Sequence, residues 1–79
     1  MSDVKDVRAA LETLDNINAN SPERAGTCRG LVIAALVSEG LAACDEWESV
    51  EDGDYTADNI AQGKVDLLAS ILRKAGLLK

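Results

Sequence analysis

Three observations in this 79-residue chain predict an all-α fold. Apolar residues recur at helical spacing in the first and last thirds. A strong helix start, Ser21-Pro22-Glu23, opens the middle third. Aromatic residues are nearly absent, with one Trp, one Tyr and no Phe, so the core must be aliphatic, which suits helices better than sheets. The expected architecture is a single domain, a three-helix up-down-up bundle with a long central helix, with helices over about residues 3–17, 22–50 and 55–75.

The first helix has Ser2 or Asp3 as its cap and acids in its first turn. Val4, Val7, Leu11, Leu14 and Ile17 form one apolar stripe. Lys5, Arg8, Glu12 and Asp15 fall on the other faces, and Asn18-Ala19-Asn20 reads as a short loop. In the second helix Ser21 is the N-cap and Pro22 takes the first helical position. From Leu31 to Val37 every position is apolar. A helix apolar all round is buried on all sides, and two partner helices do not cover that much, so a homodimer is expected. A break at Gly40 is the alternative to one long helix, with Gly40 as a left-handed cap and Leu41 folding back on Leu36. No N-capping residue follows Gly40, so continuity is expected.

Small residues recur every fourth position in this segment: Gly26, Gly30, Ala34, Ser38 and Ala42. Residues four apart share a helix face, and a mid-helix glycine costs about 1 kcal/mol relative to alanine. Close approach of another helix offsets that cost. The row, with Leu31 and Val37 beside it, is therefore the expected packing and dimer interface. Glu51-Asp52-Gly53-Asp54 reads as a turn. The third helix follows, capped by Asp54 or Thr56, with Ile60, Leu67, Leu68, Ile71, Leu72 and Ala75 as its apolar face. Arg73 and Lys74 complement its dipole, and Gly76 with Leu77 fits a Schellman ending.

Net charge is −6, unevenly spread. Residues 30–63 carry eight acids and no base, whereas residues 64–79 carry four bases and one acid. No basic patch interleaved with aromatics exists, which argues against direct nucleic-acid binding. A helix-turn-helix reading fails because Arg24 and Arg29 are the only bases near a recognition helix. The apolar run from Leu31 to Cys44 is too short to span a bilayer and contains Glu39. With no signal peptide or lipidation motif, the expected location is cytoplasmic.

Chemistry-bearing patterns are few. Histidine is absent, which removes the commonest general base and zinc ligand. Cys28 and Cys44 are about 24 Å apart on one continuous helix, beyond disulfide reach, and each reads as a small buried hydrophobe. In an antiparallel homodimer the two thiols of opposite chains approach one another. Placing Gly53 at the sixth position of a calcium loop puts Val50 third and Asn59 twelfth, and neither fits. Gly26-Thr27-Cys28-Arg29-Gly30 lacks phosphate-loop spacing and the Gly-Lys-Ser/Thr ending. Neither an enzyme nor a cofactor or metal site is expected.

The candidate site is the acidic stretch Asp45, Glu46, Glu48, Glu51, Asp52, Asp54 and Asp58, flanked by Trp47 and Tyr55. Trp and Tyr are favoured interface anchors, and clustered carboxylates attract a basic partner. The bland alternatives are a solvated acidic face and a Trp47 that merely closes the core. In size and charge the chain resembles small acidic inhibitors of host defence encoded by bacteriophages, such as anti-CRISPR proteins. The expectation is a non-catalytic binding module, an inhibitor or decoy that docks on a basic nucleic-acid-handling protein. The competing expectation is a structural or accessory subunit that associates through the apolar face of the central helix.

Overall fold

The computed structural model describes residues 4–51 and 53–78. It is all-α, with no strand among the described residues. Helix α1 spans Val4–Ala19, α2 Pro22–Ala25, α3 Cys28–Ser49 and α4 Tyr55–Lys74. The caps expected at Ser2 and Asp3 lie outside the described residues.

The central helix is corrected at its start. It breaks at Gly26–Thr27, giving the single turn α2 and the long α3, and it runs unbroken through Gly40. Thr27 explains the break. Its Oγ1 accepts from the Gly30 N–H at 3.1 Å and its hydroxyl donates to the Arg24 carbonyl at 2.6 Å. One side chain thus satisfies an orphan donor of α3 and adds a second bond to the Arg24 carbonyl of α2, which also accepts the Thr27 N–H at 3.0 Å. Ser21 precedes Pro22 as expected but makes no side-chain cap bond.

Helix α3 runs antiparallel to α1, since Arg8 meets Asp45 and Glu48, Leu11 meets Gly40, and Asn18 meets Gly30. It is antiparallel to α4 too, through Gly40 with Leu68, Glu46 with Lys64 and Trp47 with Gln62. Leu11, Leu72, Val7, Val65 and Cys44 are the largest fully buried side chains. Ala10, Ala43 and Ala69 fill the gaps between them. At Gly40 an added Cβ would meet Leu11 Cδ1 at 2.7 Å and Leu68 Cδ2 at 3.3 Å, so glycine lets three helices meet there. Asn18 is buried. Its Nδ2 donates to the Gly30 carbonyl at 3.1 Å, and its Oδ1 has no partner among the described residues.

Two apolar faces differ from expectation. On α4 the buried set is Ala61, Val65, Leu68, Ala69 and Leu72, while Ile60, Leu67, Ile71 and Ala75 are exposed. Close helix approach selects the face with alanines, not the face with the largest residues. On α3 the apolar run is not covered all round: Leu31 is 61% exposed and Val32 68%. Helix α4 ends as its sequence predicts. Gly76 takes a φ of +79°, the Leu77 N–H donates to the Leu72 carbonyl at 2.9 Å, and the Gly76 N–H to Arg73 at 3.0 Å, a Schellman ending. The molecule is elongated, 46 × 22 × 16 Å.

Candidate functional site

The acidic stretch begins on the last turns of α3, crosses the connection at 50–54 and continues into α4. Three of its carboxylates are spent internally. Arg8 on α1 donates to Asp45 Oδ1 at 2.7 Å and to Glu48 Oε1 at 2.9 Å. These carboxylates raise the Arg8 pKa, first through the Asp45 hydrogen bond and then through that to Glu48. Lys64 on α4 donates to Glu46 Oε2 at 2.7 Å. Asp45, Glu46 and Glu48 therefore tie α3 to its two neighbours. All the groups involved are partly open to solvent, so each tie adds little stability.

Glu51, Asp54 and Asp58 make no ion pair among the described residues. Asp54 is the cap of α4, its Oδ1 accepting from the Ala57 N–H at 3.1 Å. These carboxylates and Glu48 surround a cleft of ≈ 370 Å³ whose apolar walls are Trp47, Val50 and Tyr55. Asp52, which the sequence placed in the same surface, lies outside the described residues. Trp47 is 36% exposed, and its indole N–H donates to Gln62 Oε1 at 2.9 Å. Gln62 in turn donates to Asp66 at 2.9 Å, so the ring is held at the edge of the cleft. Tyr55, 78% exposed, projects from the first turn of α4. A fixed indole, an exposed phenol and three carboxylates with no ion pair among the described residues suit a guanidinium or ammonium group, through charge and ring contact together.

The packing row is split rather than shared on one face. Gly30 and Val37 are buried, whereas Gly26, Leu31, Ala34, Ser38 and Ala42 are exposed. Gly26 lies in the break before α3, so it cannot be in register with the others. The close approach at Gly30 is made by the backbone of α2, at Arg24 and Ala25, within the same chain. Cys28 is exposed and Cys44 buried. Burial pushes the Cys44 thiol pKa up, with Glu48 and Asp45 adding to the rise and Arg8 opposing it. Buried against the core, Cys44 cannot reach a thiol of another chain.

Sequence reasoning missed Arg8. It was assigned to the solvent side of the first helix, yet it directly follows Val7 and flanks the apolar stripe, and that adjacency is the readable signal. Among the described residues no group of three or more His, Cys, Asp or Glu side chains is placed to hold a metal ion. None of the described helices is long and apolar enough to cross a membrane. No family model, curated protein or solved structure matches this chain.

Proposed function

We propose that this chain is a small, non-catalytic protein-binding module whose acidic end docks on a basic, nucleic-acid-handling partner. In this reading it is a cytoplasmic inhibitor or decoy of the phage-encoded anti-defence or anti-CRISPR kind. The observation that carries the reading is the cleft beside Tyr55 and Trp47, where Glu51, Asp54 and Asp58 carry charge that no ion pair among the described residues offsets. Such a surface steers a basic partner by charge and anchors it by aromatic contact. With Asp45, Glu46 and Glu48 paired internally, the docking surface in this reading is Glu51, Asp54, Tyr55 and Asp58 together with Trp47.

The test is capture of partners from a bacterial lysate by the wild type and by a Glu51→Gln, Asp58→Asn chain, at low and high salt. We expect the wild type to retain a basic nucleic-acid-binding protein that is lost at high salt and lost with the variant, because exposed charge pairs are screened. Equal capture by both chains would refute the reading.

A second reading has its own support. Leu31 and Val32 stand largely exposed on α3, as an accessory subunit or a homodimer requires. We infer an up-down-up arrangement of α1, α3 and α4 that works as a homodimer. Salt does not weaken apolar burial, so this association and the acidic docking are separable in one experiment.

A further inference from the structure

We propose that the outward face shared by α3 and α4 takes a second, antiparallel copy of this chain. The proposal rests on the homodimer reading and assigns it a surface different from the glycine row.

The spacing of exposed residues points to a helical occupant. On α4, Ile60, Lys64, Leu67 and Ile71 follow one another at intervals of 4, 3 and 4, and all are exposed. On α3, Val32, Ala35, Glu39 and Ala42 follow at 3, 4 and 3, and all are exposed. Such intervals average 3.5 residues, the period that keeps a seam facing a partner helix. The two seams border one groove of ≈ 280 Å³, with Glu39 and Ala42 on one side and Lys64 and Leu67 on the other. A face of two adjacent seams matches another pair of helices, and a second copy supplies that pair.

The exposed area agrees. A folded monomer of 8.3 kDa exposes about 4,600 Å² by the scaling of area with mass. This chain exposes 5407 Å². The excess, about 800 Å², is spread over an elongated body and is comparable in size with one partner's share of a standard stable interface. The radius of gyration is 13.4 Å, against about 11.6 Å for a compact domain of this length.

Charge selects the second copy and its direction. The face itself carries few charges: Glu39 on one seam and, on the other, Lys64, which is bridged to Glu46 of the same chain. Along the long axis the molecule is polar. Seven acids lie between Asp45 and Asp58 at one end. Arg24 on α2 and Arg29 at the start of α3 lie toward the opposite end, as do Arg73 and Lys74 at the end of α4. Parallel copies would stack acid on acid. Antiparallel copies set each acidic end over the basic end of the other.

Light scattering on the eluting protein at tens of micromolar is the test. The wild type should weigh twice 8.3 kDa. Leu67→Glu, and separately Val32→Asp, should return it to a monomer with unchanged helical circular dichroism, since both positions are exposed. Asn16→Glu, on the exposed side of α1, should remain dimeric. A monomeric wild type overturns the homodimer reading and the proposal with it. A dimer that survives both Leu67→Glu and Val32→Asp overturns the assigned face alone. Direction is read from a spin label on Cys28, the exposed thiol. It lies eleven residues from Glu39, which borders the groove, so antiparallel copies that cross there place two labels about 33 Å apart at 1.5 Å of rise per residue. A separation below about 20 Å, that of adjacent helix ends, would overturn the orientation.

Discussion

Gly30 and Gly40 look alike in the sequence and differ in what surrounds them. A Cβ at Gly30 would run into the α2 backbone at Arg24 and Ala25, which cannot yield without moving the corner. A Cβ at Gly40 would meet the methyl ends of Leu11 and Leu68, which can turn aside. Alanine gains about 1 kcal/mol of helix propensity over glycine. We therefore expect Gly40→Ala to be near neutral and Gly30→Ala to destabilise by about 1–3 kcal/mol, measured by urea unfolding. Equal effects at the two sites would refute the distinction. The cysteines divide similarly. A thiol reagent should modify one cysteine per native chain, Cys28, and two in denaturant. Because the Cys44 pKa is raised in the folded state, its contribution is complete below the ordinary thiol range. That contribution is lost as pH rises beyond about 8.5, where the unfolded chain ionises first.

At the scale of elements, local chemistry decides where helices begin and packing decides which side they bury. Thr27 and Asp54 each accept a backbone N–H three residues on. Thr27→Val and Asp54→Ala should each cost about 1 kcal/mol, read as a lowered melting temperature. Thr27→Val removes in addition the hydroxyl that holds the Arg24 carbonyl, so its effect should be the larger of the two. An Asp54→Ala chain as stable as the wild type would mean that the α4 cap is dispensable. The Ser21-Pro22-Glu23 signal is real but starts only one turn, because Gly26 and Thr27 end α2 before α3 can continue from it.

The whole molecule is an elongated helical body with an acidic end. Arg8 and Lys64 bind α1 and α4 to the acidic part of α3, and Glu51, Asp54 and Asp58 gather around Trp47 and Tyr55. Removing Glu51 and Asp58 leaves those bridges intact, so the binding test separates docking from folding. The outward α3–α4 face lies on a different surface from the one Arg8 ties to α1. In an antiparallel dimer the basic end of one copy approaches the acidic end of the other, so self-association and docking of a basic partner compete for the same charge, and capture by the Leu67→Glu chain should equal or exceed that by the wild type.

The sequence by itself determined the helical class, the extent of α1 and α4 to within two residues, a cap at Asp54 or Thr56, of which the fold uses Asp54, and the Schellman ending at Gly76. These rest on bonds between residues within five positions of each other, so their causes lie side by side in the chain. It also located the acidic stretch and both aromatics, because composition alone concentrates them there. Only the tertiary structure decided the rest. Whether Ile60 or Ala61 faces inward depends on which side of α4 is turned toward α3, where Leu68 comes close to Gly40. Which carboxylates are spent depends on Arg8, 37 positions from Asp45. Helical periodicity shows that a face exists, but a neighbour distant in sequence determines what it touches.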